Sequence, residues 1–363
     1  MKTLLCFLVS CVLTSVSYGQ SAKETAEEKG RSAVELMDNG KIEEALVLLK
    51  ESRRLDPANI TYPYETAYAY YLSKDYKAAI AALQPLLKHK DCFGRVYQLL
   101  GNAYDLSGDA ENAIAVYEQG IKKFPNAGEL YLERGNMELM QKRYTRALPY
   151  YEKGIEQAPA FPSNYYWAAK IYCGSVEEVW GMIYGETFMN LERDTKRTEE
   201  ISKLLYDTYR SEIKFSSDST FSVSFSKNGV IDPASLARGK VKLPFGVGVY
   251  EPLLSKAIIG ERDVNVNSLS RIRTRFVKEY WASQFAAEDP NVLFQYQKQV
   301  LDAGHMEAYN HWLLLKGDEN DFRQWLSGNR EKWDAFMNWY ADNKIKISRT
   351  PGNKGIALPG AAK

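Results

Sequence analysis

The amino-acid sequence predicts a mainly α-helical protein, in which an α-solenoid of stacked helical hairpins is followed by a small α+β domain. The first observation is self-similarity, because five blocks in register at a period of 34 residues begin at residues 26, 60, 94, 128 and 162. The second is a change in the residue pattern after Phe215, where segments in which apolar residues alternate with serine replace the repeats. Helical periodicity resumes from Asn265, so the second half mixes strand and helix.

Each of the repeated blocks has the pattern of two helices joined by a short turn. Small residues recur at one register position in the second helix, at Ala45, Ala79, Ala113 and Ala147. A bulkier side chain there would force the two helices of a hairpin apart. Proline follows the second helix in three blocks, where its fixed φ and missing N–H end a helix. Each hairpin leaves one apolar face uncovered, so neighbouring hairpins are expected to stack into one continuous core.

The third block, "GRVYQLLGNAYDLSGDAENAIAVYEQGIKKFPNA", resembles the tetratricopeptide (TPR) repeat at nearly every diagnostic position. Those positions are Tyr97, Leu100, Gly101, Tyr104, Gly108, Ala113, Tyr117 and Pro125. The resemblance covers about residues 26 to 195, with repeats near 26–59, 60–93, 94–127, 128–161 and 162–195. The fifth block departs from the pattern, since Gly181 takes the small-residue place and no proline ends its second helix.

The chain is expected to divide into four parts. Residues 1–19 form a signal peptide, residues 20–195 the TPR domain and residues 196–215 a capping or linker helix. Residues 216–363 form the α+β domain, which ends in a disordered tail near 350–363.

The first nineteen residues, "MKTLLCFLVSCVLTSVSYG", carry one lysine, an apolar run and then small residues, the layout of a secretory signal peptide. Residues 8–11, "LVSC", also fit a bacterial lipoprotein processing site with a lipid anchor at Cys11. Ordinary cleavage is favoured, because the apolar run before Cys11 is short and apolar residues continue after it. The sequence therefore predicts an exported protein of the periplasm or outer cell envelope of a bacterium.

Charge and hydropathy narrow the range of partners. Without Lys2 the chain carries 46 basic residues against 46 acidic ones, a balance that argues against nucleic acid and against a polybasic membrane surface. Beyond the signal peptide, no segment approaches the roughly 20 apolar residues of a transmembrane helix. The partners that the sequence still favours are therefore proteins or peptides.

The second half shows two patterns. Phe221, Val223 and Phe225 alternate with serines, which predicts a half-buried strand, followed by a turn at "KNG". The segment "KVKLPFGVGVY" is predicted to supply its partner strand, with Pro244 at an edge. Further on, the helix "VNSLSRIRTRFVKEYWASQF" buries one apolar stripe. Its basic residues Arg271, Arg273, Arg275 and Lys278 are expected mostly to face water.

No pattern of catalytic or metal-binding residues emerges. The chain has three histidines, and the two in "HMEAYNH" stand six positions apart rather than at the i, i+4 spacing of a zinc pair. There is no nucleophile elbow, phosphate loop or dinucleotide fingerprint. The sequence thus predicts neither an enzyme nor a cofactor nor a metal site. A hydrolase centred in residues 216–363 stays a third hypothesis, for which no nucleophile can be named.

The TPR resemblance implies a concave surface lined by the first helix of each hairpin, at the second, fifth, ninth and twelfth block positions. The predicted lining residues are Tyr64, Tyr68, Tyr71, Arg95, Gln98, Asn102, Asp105, Asn136, Leu139, Tyr166 and Lys170. Tyrosines and amides suit an extended or helical peptide, so the first hypothesis is an interaction scaffold with a partner in this groove. An equal alternative is that the chain's own second domain covers the groove.

Two asparagines of the lining, Asn102 and Asn136, resemble those that hold a peptide carboxy-terminus in some TPR proteins. Gln98 and Leu132 stand where basic residues would complete that clamp, which argues against C-terminal capture.

The stretch "QWLSGNREKWDAFMNWY" near the C-terminus motivates another hypothesis, a carbohydrate- or cell-wall-binding protein. It requires several of Trp325, Trp333, Trp339 and Tyr340 to be exposed together. Helical spacing favours a buried stripe instead, with Trp339 beside the stripe as the candidate ligand aromatic.

Overall fold

The structure, a computed structural model, describes residues 21–217, 220–227 and 243–347. The signal peptide with Cys11, most of the "KNG" turn and the tail near 350–363 lie outside the described residues. The chain forms two compact units, an N-terminal unit up to Met137 and a C-terminal unit from Glu138. None of the helices within the described ranges has both the length and the apolar character needed to cross a membrane.

The N-terminal unit consists of helices paired as the repeats predict. They are α1 (residues 21–38), α2 (Ile42–Leu55), α3 (Thr61–Leu72), α4 (Tyr76–Leu83), α5 (Gly94–Leu106), α6 (Ala110–Lys123) and α7 (Gly128–Leu139). The last two residues of α7 belong to the C-terminal unit. A 3₁₀ turn, Gln84–Lys88, extends α4. Asp75 and Asp109 begin α4 and α6 by accepting hydrogen bonds from the backbone N–H groups of Ala78 and Asn112.

Small residues bring the two helices of each hairpin together. Ala45, Ala79 and Ala113 are completely buried. In the third hairpin, a Cβ added to Gly101 on α5 would lie 2.2 Å from Cε1 of Tyr117 on α6, so only glycine fits. The Tyr117 ring therefore packs directly against the α5 backbone.

The turn inside each of the first four hairpins uses one left-handed residue at the same register position. In the N-terminal unit these are Gly40 (φ 73°), Lys74 (φ 63°) and Gly108 (φ 89°). Lys142 (φ 58°) takes the same role in the C-terminal unit. Left-handed backbone costs an L-residue roughly 1–2 kcal/mol, whereas glycine adopts it freely. The two lysines therefore sit in strained turns.

The C-terminal unit continues with α8 (Tyr144–Gln157), α9 (Pro162–Cys173), α10 (Glu178–Leu191) and α11 (Lys196–Glu212). Strands β1 (Ile213–Ser217) and β2 (Thr220–Val223) follow, then a π-helical turn, Gly246–Tyr250. The remaining helices are α12 (Glu251–Ile258), α13 (Val266–Ala282), α14 (Phe285–Glu288), α15 (Val292–Asp302), α16 (Met306–Leu314), α17 (Glu319–Gly328) and α18 (Arg330–Asp342). Mainly helical architecture with a small strand pair is thus confirmed.

The sheet differs from the prediction in its partner strand. β2 pairs antiparallel with β1, which directly precedes it, with Ile213 opposite Val223 and Phe215 opposite Phe221. The described part of "KVKLPFGVGVY" is helical rather than extended, so the predicted partner strand with Pro244 at its edge is wrong. The reason is packing, since a Cβ at Gly246 would lie 2.3 Å from Cβ of Ser226. The glycine lets a helical turn pack against the segment that follows β2.

The basic helix α13 also departs from the prediction at one residue. Arg271 and Lys278 are exposed and Arg275 is half-buried, but Arg273 is only 5% exposed. The expectation that Arg273 faces water is therefore wrong. Its side chain turns into the core because a buried carboxylate, Glu186 on α10, lies there to receive it.

A buried polar network surrounds this ion pair. Arg273 donates through Nη2 to both carboxylate oxygens of Glu186, at 2.7 and 2.8 Å. It also donates through Nη1 to the Tyr209 hydroxyl at 2.7 Å and through Nε to Asn310 Oδ1 at 2.8 Å. Burial, the largest single influence, lowers the pKa of Arg273, but Glu186 together with Tyr209 and Tyr309 outweighs it, so the pKa is raised. A pair this well hydrogen-bonded fixes α10 against α13.

Replacing Lys74 with glycine is expected to raise the free energy of unfolding by roughly 0.5–1 kcal/mol, because glycine relieves the left-handed strain. The reverse change at the matched turn, Gly108→Lys, should lower it by a similar amount. Urea unfolding followed by circular dichroism measures both. Equal midpoints for all three proteins would show that these turns store no strain.

Arg273→Met is expected to destabilise the C-terminal unit by about 3–5 kcal/mol, since it leaves the Glu186 carboxylate buried without a counter-ion. The matched control is Arg271→Met, two residues away on the same helix, where the side chain is 58% exposed and pairs with Glu261. That change should cost about 1 kcal/mol or less. Similar losses in the two variants, measured by urea unfolding, would contradict a buried, stabilising role for Arg273.

Candidate functional site

The candidate site in the N-terminal unit is a face built by α3, α5 and α7, here called the tyrosine–amide face. Its residues are Tyr68, Tyr71, Arg95, Gln98, Asn102, Asp105, Glu133 and Asn136. Apart from exposed Arg95 they are all half-buried, as expected of side chains that line a surface while packing on a core.

Aromatic rings form the α3 side of this face. The rings of Tyr68 and Tyr71 are stacked, with centroids 6.3 Å apart and an interplanar angle of 14°. Tyr76 on α4 packs edge-on against Tyr71 at 5.8 Å, which supports the pair from behind. The predicted lining residue Tyr64 does not belong to the open surface, because it is 5% exposed and packs edge-on against Phe93.

Asn102 is held by a side chain from the core. The Tyr117 hydroxyl donates to Asn102 Oδ1 at 2.6 Å. Burial raises the pKa of Tyr117, so its hydroxyl stays protonated and remains a donor. The Tyr117 hydroxyl thus positions the Asn102 amide, and no described residue accepts a hydrogen bond from its Nδ2 group.

Glu133 organises the α7 side of the face. Gln98 Nε2 donates to its Oε1 at 2.9 Å, and Asn136 Nδ2 donates to its Oε2 at 3.1 Å. The sequence prediction missed Glu133, which stands one position past the fifth-position register used to select the lining. The pairing of Gln98 with a residue one repeat later, 35 positions along the chain, was the available signal.

The charge of the face is uneven along α5. Arg95 lies near the first turn, with its guanidinium carbon 5.9 Å from the centre of the Tyr64 ring. Burial raises the pKa of the neighbouring Glu65, and Arg95 partly offsets that shift. At the other end, no described residue forms a hydrogen bond or an ion pair with the Asp105 carboxylate. Burial raises the pKa of Tyr71, and the charges of Glu133 and Asp105 are among the neighbours that raise it further.

The predicted lining residues of the C-terminal unit are engaged differently. Glu200 on α11 accepts hydrogen bonds from the Tyr166 hydroxyl and from Lys170 Nζ. Tyr166 is 7% exposed and therefore unavailable to a partner. Leu139, at the end of α7, is half-buried. At the fifth hairpin the chain thus covers its own lining with the helix that follows the repeats.

The C-terminal aromatics form a core rather than a platform. Trp325 is 7% and Tyr340 2% exposed, while Trp333 and Trp339 are half-buried. Trp339 lies beside the stripe as predicted, with its ring 5.4 Å from His305. Since the carbohydrate hypothesis requires several of these rings to be exposed together, the geometry does not support it.

Across the described part of the chain, no three His, Cys, Asp or Glu side chains come together in a way that could hold a metal ion. The tyrosine–amide face offers stacked rings, amide donors and acceptors, and carboxylates. These groups can make stacking contacts and hydrogen bonds with a ligand.

Solved structures with similar folds share low sequence identity with the chain. A thermophilic TPR protein of Thermus thermophilus has 16% identity over 50% of this chain and 98% of its own, at a TM-score of 0.41. PilF of Pseudomonas aeruginosa has 17% identity over 53% and 86%, at 0.43. The MamA protein has 20% identity over 47% and 92%, at 0.36. Values this low carry no argument about function.

Family comparisons are more direct. No curated protein matches the chain. Two family models described as tetratricopeptide repeat match it, one over residues 36–103 and the other over residues 99–162. The hairpins of α1 to α8 with their buried small residues agree with both matches. The predicted resemblance is confirmed: residues 36–162 of the chain consist of tetratricopeptide repeats.

Proposed function

We propose that the chain is a non-enzymatic interaction scaffold whose tyrosine–amide face binds an extended segment of a partner protein. The observation that carries this proposal is Asn102, whose amide is positioned by Tyr117 while no described residue accepts a hydrogen bond from its Nδ2 group. An oriented donor on a half-buried surface is ready to meet a peptide carbonyl, and its orientation requires no further loss of entropy on binding.

The two stacked tyrosines supply the apolar part of recognition. Tyr68 and Tyr71 are supported from below by the core of the N-terminal unit. Tyrosine offers a large contact area at a small entropic cost, since only two side-chain torsions need to be fixed. A partner side chain lying across this pair would bury apolar area that water now covers.

The charges favour a partner segment with a basic side chain. Glu65, Asp105 and Glu133 place three carboxylates around the face, against one guanidinium, that of Arg95. Asp105 in particular has no counter-ion among the described residues. Arg95 and Asp105 stand ten residues apart on α5, or about 15 Å at 1.5 Å per residue. That distance corresponds to four or five residues of extended peptide at roughly 3.3 Å each.

The site of action that we propose is the bacterial envelope. The support is the signal-peptide pattern of residues 1–19 together with the balanced charge of the rest.

Combining Tyr68→Ala with Asn102→Ala is expected to weaken peptide binding more than tenfold, since truncating a central interface residue costs about 2 kcal/mol or more. The probe is a displayed library of random peptides selected on the full chain, with affinities of the selected peptides measured by calorimetry. Helical circular dichroism should stay unchanged. Tyr144→Ala, which removes a 50% exposed tyrosine on α8, is the matched control. Unchanged binding by the double variant would exclude this face as the site.

Asp105→Asn is expected to weaken the same peptides roughly two- to fivefold and to reduce the salt dependence of binding, because an exposed ion pair contributes about 0.2–1 kcal/mol. Asp38→Asn, at an exposed aspartate on α1, is the control and should have no effect. Selected peptides with no enrichment of lysine or arginine would refute the charge preference and leave the binding face itself intact.

A further inference from the structure

A small cavity lies in the core of the C-terminal unit, beside the Glu186–Arg273 pair. Apolar side chains of α10, α12, α13 and α15 form most of its wall, and five polar residues complete it: Glu186, Tyr209, Tyr250, Arg273 and Gln297. Its volume of about 20 Å³ is close to what one water molecule requires and too small for an organic ligand.

Gln297, in the wall of this cavity, has a hydrogen-bond acceptor that receives no donor from the described residues. The residue is 3% exposed, and its Nε2 donates to Glu186 Oε1 at 2.7 Å. The reverse orientation of the amide would set two oxygens against each other, so the carboxylate fixes which atom is which. Gln297 Oε1 is therefore the atom left over, and it accepts no hydrogen bond from any of the described residues. A buried acceptor in this state costs about 1–3 kcal/mol.

Tyr209 and Tyr250, in the same wall, share one hydroxyl proton for which the described residues offer no acceptor. The hydroxyl oxygens of Tyr209 and Tyr250 are 3.4 Å apart, and either can donate to the other. Tyr209 also accepts from Arg273 Nη1. One hydroxyl proton lies between the two hydroxyl oxygens, and within residues 21–217, 220–227 and 243–347 the second has no acceptor in either arrangement. The unused proton and the unused acceptor belong to residues that line one cavity.

We infer that an ordered water molecule occupies this cavity, accepting from the tyrosine pair and donating to Gln297 Oε1. A cation is the wrong ligand here, because Arg273 already balances Glu186 and further positive charge would be buried without compensation. An empty cavity would leave two polar groups unsatisfied, whereas internal cavities that stay dry are apolar.

The water adds one link to a polar network that already joins several elements. Direct hydrogen bonds join α10, α11, α13, α15 and α16 through Glu186 and Arg273. Through the water, Gln297 on α15 also reaches the hydroxyl pair of α11 and the π-helical turn. The turn misassigned as a strand, which the Tyr209–Tyr250 contact already joins to α11, is thereby tied to α15 as well.

A high-resolution crystal structure of the full chain tests the inference. The expected result is one spherical peak within hydrogen-bond distance of Gln297 Oε1 and of either tyrosine hydroxyl. Gln297→Met removes the acceptor at similar side-chain length and should abolish the peak, while Gln299→Met, on the exposed side of α15, should leave it in place. Absence of a peak in the unmodified protein, a peak that survives Gln297→Met, or a Gln297 Oε1 bonded directly to a protein donor would each overturn the inference. The unmodified protein decides the question alone if the Gln297 variant does not fold.

Discussion

The repeat architecture depends on how closely the two helices of a hairpin can approach. Ala45, Ala79 and Ala113 leave no room for a larger side chain, and Gly181 takes this place in the fifth hairpin. A Cβ at Gly181 would lie 2.4 Å from Sγ of Cys173. Close approach fixes the rotation of the first helix about its own axis, because only one of its sides can meet the second helix. The opposite side is then presented outward, and this is how packing determines which residues line the face.

The close approach of the two helices also affects hydrogen bonding on the tyrosine–amide face, through the ring of Tyr117. Gly101 has no Cβ, so the Tyr117 ring lies against the α5 backbone and its hydroxyl reaches the next residue, Asn102. A larger residue at position 101 would displace the ring, and Asn102 would lose the bond that orients it. Gly101, a diagnostic residue of the repeat, thus also helps to position the amide donor of Asn102.

Sequence reasoning succeeded where a pattern repeats locally and failed where a contact joins distant residues. Hairpins, turns and small-residue positions follow from spacing within 34 residues, and each recurs several times. Arg273 gave no such signal: its partner Glu186 stands 87 positions earlier, and on periodicity alone an arginine beside Arg271 and Arg275 belongs to a solvated side. The partner of β2 was missed because β1 continues directly from α11 without its own turn signal. Glu133 was missed because the lining was chosen by position in the repeat, which cannot reveal a hydrogen bond to the next repeat.

The fifth hairpin can be compared with the third, because the side chains at equivalent repeat positions make different contacts in the two. Tyr166 and Lys170 occupy the fifth and ninth positions of their repeat, and both donate to one carboxylate, Glu200 of the capping helix. Gln98 and Asn102 hold the same two positions in the third repeat, where Asn102 keeps unused donor protons. The residue type agrees with this difference: lysine and tyrosine meet a fixed carboxylate of the chain itself, whereas an amide suits the carbonyl groups that any peptide carries. Under the proposed function, the Asp105 carboxylate, which pairs with no cation among the described residues, would meet a basic group of the partner.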